Sequence, residues 1–196
     1  MAEQLKNLYS KEFIEKLANK LFLIYSDFEK ENFINSIFDN TWQDLELKQR
    51  MRHIALTLNR YLPFSYDKQL EILKKAKEDF TGLEAMVFQD FVEVFGLDDF
   101  AESMKALEVF TINSSSEFAI RQFILKYEEQ AMNQMKIWSQ SPNEHLRRLA
   151  SEGCRPRLPW AVALPIFKQN PTKALEIIEL LKNDKSVYVQ KSMANN

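Results

Sequence analysis

The sequence predicts an all-α protein built as a helical-repeat solenoid that is curved, with a basic concave face. Three observations lead to this prediction. The 196 residues include only 3 Gly and 6 Pro, so turns are few. Apolar side chains recur at helical spacing, as at Phe88, Phe91 and Phe95, and the alternation typical of β-strands is missing from the sequence. Two stretches near the C-terminal end also resemble each other, which indicates a repeat.

Helix starts and ends can be placed along the whole chain. Ser10 is a candidate N-cap for the first helix. Pro63 ends the third helix, and Gly96 separates two later ones. Ser114 and Glu117 form the S-x-x-E pattern of a capping box. The predicted helices span residues 10–27, 29–39, 42–61, 67–79, 83–95, 98–110, 114–126, 128–140, 143–152, 160–169, 171–182 and 186–195.

The weak repeat aligns IWSQSPNEHLRRLASEG, residues 137–153, with LLKNDKSVYVQKSMANN, residues 180–196. A period near forty residues with two helices is typical of HEAT-like arrays, in which stacked helix pairs bury each other's apolar faces. We therefore expect one domain over residues 1–196, with N-terminal helices to about residue 110 and motif-bearing repeats over about 111–196. The repeats place Arg147, Arg148 and Lys191 on the same side of the array.

Composition excludes several classes of protein. The apolar runs are far shorter than the roughly 20 residues that span a bilayer, so no membrane contact is expected. The N-terminus lacks an apolar signal core, and a single cysteine, Cys154, fits a reducing compartment, so we expect a cytoplasmic protein and a monomer. Glycine-rich phosphate loops are missing, and two histidines with one cysteine make no usual zinc site. We expect no metal, no nucleotide and no other cofactor.

Positive charge is concentrated at the C-terminal end of an otherwise acidic chain. Residues 1–144 contain 17 Lys and Arg against 24 Asp and Glu, whereas residues 145–196 contain 9 against 4. Such an asymmetry indicates binding to a polyanion, because phosphate contacts need only a local basic surface. A solvated basic face without function is the alternative that charge alone leaves open.

The densest part of this basic region is RRLASEGCRPRLPW, residues 147–160. Together with the preceding Trp138, Pro142-Asn143 and His145, it closely resembles the signature of the AlkC branch of bacterial DNA alkylation repair glycosylases. DKSVYVQKSMAN, residues 184–195, resembles the next repeat of that family, with Met193 where valine is commoner. The sequence resemblance is strong over about residues 110–196. Over residues 1–109 only the predicted helical architecture resembles that of the family.

The resemblance implies a DNA glycosylase, a hydrolase that removes cationic N-alkylated bases such as N3-methylated ones from double-stranded DNA. It implies that Glu152 is the principal catalytic carboxylate, that Glu117 is a second acidic residue of the site, and that Trp160 is its aromatic wall. A carboxylate stabilises the oxocarbenium-like sugar that forms as the base leaves. The resemblance places Arg155 beside the site and makes Arg147, Arg148 and Arg157 phosphate-binding or structural arginines. Because the two repeats place their basic positions alike, we expect one DNA-binding stripe on the concave face, formed by Arg147, Arg148, Arg155, Arg157 and Lys191.

Each of these assignments has a structural alternative. Glu152 lies four residues after Arg148, at the spacing of an ordinary helical ion pair. Glu117 fits a capping box, and Trp160 fits a core position. A non-catalytic helical-repeat module that binds DNA or a protein on its concave face would need neither Glu152 nor Trp160.

The family pattern extends past the last residue of this sequence. After the residues that match 193–196, the family continues with Leu-Asn-Asp, and that aspartate, which would lie three residues after Asn196, is another carboxylate of the family's site. The pattern therefore predicts that the native chain continues beyond Asn196, and the presence of Leu-Asn-Asp there would favour the enzyme over the non-catalytic module.

Overall fold

Twelve α-helices and two short 3-10 helices form the chain in the computed structural model, which describes residues 4–196. The 3-10 turns are Leu5–Leu8 and Trp42–Asp44. No strand occurs within residues 4–196, so the prediction of an all-α fold is confirmed. In chain order the α-helices are α1 (Lys11–Ile24), α2 (Lys30–Ile37), α3 (Leu47–Tyr61), α4 (Tyr66–Lys77), α5 (Met86–Phe95), α6 (Phe100–Thr111), α7 (Ala119–Lys126), α8 (Glu128–Ser139), α9 (Glu144–Gly153), α10 (Pro165–Gln169), α11 (Thr172–Leu181) and α12 (Val187–Ala194).

Side-chain caps explain where several helices begin. The Ser10 hydroxyl accepts a hydrogen bond from the backbone N–H of Phe13 at 3.2 Å, which confirms the predicted cap of α1. Asn143 caps α9 in the same way, because its side-chain oxygen accepts from the N–H of His145 at 2.9 Å. Such caps satisfy N–H groups that have no partner within the helix.

Most consecutive helices pack on one another, and the apolar faces of the helices form one core that runs from Tyr9 to Val189. In the N-terminal part, α3 packs on α5, and α1 packs on α2 and α4. In the C-terminal part, α8 packs on α9 and α11, and α9 packs on α12. Helices α9 and α12 begin at Glu144 and Val187, which are equivalent positions of the predicted repeat.

Three predicted local features are wrong. The third helix begins at Leu47 rather than at Trp42, and Trp42–Asp44 form a separate 3-10 turn. Ser114 and Glu117 form no capping box: α7 begins only at Ala119, and the Ser114 hydroxyl instead donates to the Gly82 carbonyl at 2.8 Å. The predicted helix over residues 160–169 shortens to α10, because Trp160 has a positive φ of 62°, which is incompatible with a right-handed helix. Residues 154–164 therefore form an irregular loop between α9 and α10.

No helix among the described residues is long and apolar enough to cross a membrane.

Gly153 allows α9 to approach two neighbouring helices closely. A Cβ atom at this position would lie 2.8 Å from Cγ2 of Ile120 on α7 and 2.9 Å from Cε of Met135 on α8. Both distances are shorter than van der Waals contact, and both neighbours are buried. Glycine at this point thus sets how near α9 lies to α7.

We expect Gly153→Ala to lower the free energy of unfolding by about 1–3 kcal/mol, the usual cost of overpacking a core. Urea denaturation followed by circular dichroism measures it. Met135→Ala removes one of the two obstructing atoms, so the cost of Gly153→Ala should be smaller in that background. A Gly153→Ala protein as stable as the parent would show that the helices separate freely here.

Candidate functional site

Glu152 lies in the last turn of α9 and is 4% exposed. Its Oε1 accepts a hydrogen bond from Arg155, and its Oε2 accepts one from the Ser192 hydroxyl at 2.6 Å. Arg148 lies farther away, with Nη2 3.8 Å from Oε2. The main ionic partner of Glu152 is therefore Arg155 rather than Arg148, the partner expected from helical spacing. These donors compensate the cost of burying the carboxylate and hold it in one position.

Glu117 lies immediately before α7 and is held by a second arginine. Its Oε2 accepts hydrogen bonds from Arg148 and from the Ser115 hydroxyl, the latter at 2.6 Å. Arg148 also donates to Ser115 Oγ at 2.9 Å, so the three side chains form a closed network. Because the carboxylate is engaged by side chains, Glu117 does not act as a helix cap.

Arg148 links the two carboxylates. One end of its guanidinium contacts Glu117, the other end faces Glu152, and its central carbon lies 5.1 Å from the ring centroid of Tyr188 on α12. Burial disfavours the charge of Arg148, but Glu117, Tyr188 and Glu152 outweigh it and raise the pKa of the guanidinium. Arg148 is therefore a permanent cation between two acidic groups.

A groove of about 520 Å³ opens beside this network and is called the Arg148 groove here. One wall consists of two turns tied together, because Gly82 N–H donates to the Asn113 carbonyl at 2.7 Å. The opposite wall consists of side chains from α9 and α12. Burial lowers the pKa of His145, which favours the neutral imidazole. The groove is lined by Thr81, Gly82, Leu83, Met86, Asn113, Ser114, Ser115, Glu117, His145, Arg148 and Tyr188.

Arg147 is buried and bound to the protein through all three guanidinium nitrogens. Nε and Nη2 donate to the two carboxylate oxygens of Asp184 at 2.6 and 3.1 Å. Nη1 donates to the carbonyls of Ser141 and Pro142 at 2.9 and 3.0 Å. Of the two roles expected for Arg147, the structure favours the structural one: it joins the turn before α9 to the turn before α12.

Arg121, a fully buried residue of α7, holds the loop over residues 154–164 through hydrogen bonds. Its guanidinium donates to four backbone carbonyls: Val162 at 2.5 Å, Arg155 at 2.7 Å, Gly153 at 3.2 Å and Pro156 at 3.4 Å. Burial lowers the pKa of Arg121 to about 10, which still leaves it charged at neutral pH. One buried cation thus fixes both ends of the loop.

The remaining predicted residues lie at the surface. Arg157 and Lys191 are exposed, and neither forms an ion pair with any of residues 4–196. Trp160 is 59% exposed and lines a different groove from Glu117 and Arg148, beside residues 4–6 and 46–48. The expected stripe of five basic residues is therefore divided: Arg148 and Arg155 bind the carboxylates, Arg147 is structural, and Arg157 and Lys191 face solvent.

Sequence reasoning missed two residues that position the site. Arg121 lies between the apolar residues Ile120, Phe123 and Ile124 on a buried helix, and a charged side chain in such a pattern is a usable signal. Ser192 lies in the second family-like stretch, residues 184–195, but nothing in the sequence indicated its role, because Glu152 is 40 residues away along the chain.

Burial raises the pKa of the Cys154 thiol to about 12, so the cysteine is not a thiolate nucleophile.

Comparison with known proteins supports the expected resemblance. No model of a known protein family matches the sequence. The fold matches Pseudomonas fluorescens alkylpurine DNA glycosylase AlkC, solved bound to DNA containing an abasic site analog, with a TM-score of 0.95 and 36% sequence identity. The resemblance to AlkC is confirmed. The match covers 100% of this chain and 55% of the AlkC chain.

An uncharacterized protein of Bacillus subtilis (strain 168), YhaZ, is 45% identical over 192 residues, which are 98% of this chain and 54% of YhaZ. The chain therefore spans about half the length of both AlkC and YhaZ. Since its whole length matches AlkC in structure, the helical-repeat fold extends over the N-terminal helices, where the sequence resemblance was only architectural.

We expect Arg121→Met to lower the free energy of unfolding by about 2–4 kcal/mol, because four carbonyls that are buried or partly buried lose the hydrogen bonds from Arg121. The amides of Ala161 and Leu164, which bond within the loop, should exchange with solvent faster. Denaturant titration and hydrogen exchange measure the two effects. Arg157→Met, an exposed arginine in the same loop, is the control. Unchanged exchange at both amides would mean that the loop keeps its conformation without Arg121.

The ion pair between Arg147 and Asp184 makes stability depend on pH. Arg147 lowers the pKa of Asp184, so the stabilisation is fully present above the unfolded carboxyl pKa of about 4. It is lost as pH falls below that value through the folded pKa. We expect Asp184→Asn to flatten the fall in unfolding free energy between about pH 5 and pH 3.

Urea titrations at several pH values measure this effect. Asp98→Asn is the control, because the exposed pair of Asp98 with Lys126 is screened by solvent. Identical pH profiles for Asp184→Asn and the parent would contradict the assignment.

Proposed function

We propose that this chain is part of a DNA glycosylase that excises cationic N-alkylated bases, such as N3-methylated ones, by hydrolysis of the N-glycosidic bond. The observation that supports it best is the buried carboxylate of Glu152, which is held by Arg155 and Ser192 and lies in the stretch that resembles the AlkC signature. Glu117 supplies a second carboxylate at the edge of the Arg148 groove.

The proposed reaction needs carboxylates but no acid that protonates the leaving base. A base alkylated on a ring nitrogen is already a cation. When the bond between C1′ and the base nitrogen breaks, the electron pair of that bond stays on the base, which leaves as a neutral molecule. Positive charge then develops on the sugar, and a fixed carboxylate stabilises it more than the neutral starting sugar. Water adds to C1′ and gives its proton to a carboxylate, which leaves an abasic site. Hydrolysis of this kind needs no cofactor.

In this proposal the arginine and lysine residues around the carboxylates bind the phosphates of the DNA backbone. Arg157 and Lys191 are exposed, and Arg148 and Arg155 are partly exposed, so their charges are accessible to phosphates. Arg147 contributes only through the fold, since its nitrogens are all engaged. The partner is double-stranded DNA that contains alkylated bases, and binding should weaken as salt increases because phosphate contacts release counterions.

A non-catalytic module that binds DNA or a protein is the second candidate. One observation favours it: each carboxylate of the site is bound by an arginine and a hydroxyl, as in structural ion pairs. The two candidates differ in what they require of Glu152. The enzyme needs its negative charge, whereas a structural pair needs only a partner for Arg155.

We expect Glu152→Gln to lower the single-turnover rate of methylated-base release by roughly tenfold to a thousandfold, the range for loss of one preorganised electrostatic group. Glutamine keeps the size of the side chain and can still accept from Ser192. The assay uses the native protein and a duplex with one methylated base, with enzyme in excess.

Two measurements keep the outcome interpretable. Glu152→Gln should keep the fold, checked by circular dichroism, and the DNA affinity of the parent, and Glu179→Gln, at an exposed glutamate, should release base at the parent rate. If the parent excises methylated bases and Glu152→Gln does so equally fast, Glu152 is only an ionic partner. If the parent excises none, the non-catalytic module is the better description.

A further inference from the structure

A second groove, of about 550 Å³, joins the N-terminal end of the chain to the loop over residues 154–164. It is called the Trp160 groove here. Its lining residues come from three separate parts of the sequence: Gln4, Leu5 and Lys6, then Glu46, Leu47 and Lys48, and finally Trp160. Apolar surface comes from Leu5, Leu47 and Trp160, and two ammonium groups stand beside it. Neither AlkC similarity nor the motif assigns a role to residues 4–6 or 46–48.

Trp160 is held in an unusual position. It is 59% exposed, whereas Trp42 and Trp138 are 3% and 1% exposed. Its φ of 62° lies in the left-handed region, which is unfavourable for a bulky residue. Arg121 donates to loop carbonyls on both sides of Trp160, at Arg155, Pro156 and Val162, and so holds the backbone around it. A strained backbone that displays a large aromatic ring to solvent indicates a binding role.

The two lysines of the groove are positioned by neighbouring contacts. Arg50 donates to the Lys6 carbonyl at 3.0 Å, and Lys6 Nζ lies 3.0 Å from Glu46, which is largely exposed. Lys48 Nζ lies 4.5 Å from the ring centroid of Phe118, the residue next to Glu117. The groove therefore adjoins the segment that holds one of the two carboxylates of the site.

We propose that the Trp160 groove binds one nucleotide of DNA beside the lesion. This proposal rests on the proposed function, because that function makes damaged DNA the ligand. Trp160 and Leu5 contact the base or sugar face, and Lys6 and Lys48 contact the phosphate. An aromatic ring flanked by cations is the combination that recognises a nucleotide irrespective of its sequence. In the free protein Lys6 pairs with Glu46, and when DNA binds, a phosphate replaces Glu46 as the partner of Lys6. The N-terminal helices thus contribute directly to DNA binding.

Trp160 fluorescence tests this proposal, because the other two tryptophans are buried. The probe is a duplex with a stable abasic-site analogue, titrated into the native protein. We expect saturable quenching that is absent in Trp160→Phe. In Lys6→Met/Lys48→Met, affinity should fall about tenfold, and the slope of log K against log salt should decrease in magnitude by about 1, because the two lysines contact one phosphate.

The double variant Lys68→Met/Lys105→Met is the matched control, since it removes two exposed lysines that also pair with glutamates. It should bind as the parent does. Equal affinity and salt slope in the two double variants would overturn the proposal, as would quenching that persists in Trp160→Phe. A protein that binds as expected but excises no base would refute the proposed function alone, and one that excises bases without quenching would refute the groove alone.

Discussion

The arrangement of the site depends on one buried cation, the guanidinium of Arg121. It belongs to α7, yet its four acceptors are carbonyls between Gly153 and Val162. The loop that contains Arg155 and Trp160 is thereby attached to the helix that follows Glu117. Burying a guanidinium is costly, and the lowered pKa of Arg121 reflects that cost. The carbonyls offset it, so loop and helix are stable only together.

A second constraint comes from contacts between repeats. Ser192 on α12 reaches back to Glu152 on α9, and Arg147 on α9 pairs with Asp184 just before α12. Gly153 lets α9 lie close to α7 and α8. The geometry around Glu152 therefore depends on three successive parts of the solenoid, and a change in the stacking of any one moves the carboxylate.

The sequence predicted helices well because their signals are local. The Ser10 cap and the ends of α3 and α5 follow from residues a few positions apart. Predictions based on local patterns were wrong where a distant partner competes. Ser114 bonds to Gly82 instead of capping α7, and residues 160–164 are irregular because Arg121 holds the loop carbonyls. The motif identified Glu117 and Glu152 as candidates, but which arginine pairs with which carboxylate follows only from packing.

This pairing has a consequence for the proposed chemistry. Arg148 and Arg155 each bind a carboxylate in the DNA-free protein, and both are partly exposed, so a phosphate competes with that carboxylate for the same guanidinium. A guanidinium has five N–H donors in one plane and can bind both anions only if the phosphate approaches along its free edge. If DNA drew either arginine away, the freed carboxylate would gain negative potential next to the sugar, where positive charge develops. Arginines that hold the carboxylates in the free protein are thus compatible with catalysis, because the same groups respond to the substrate.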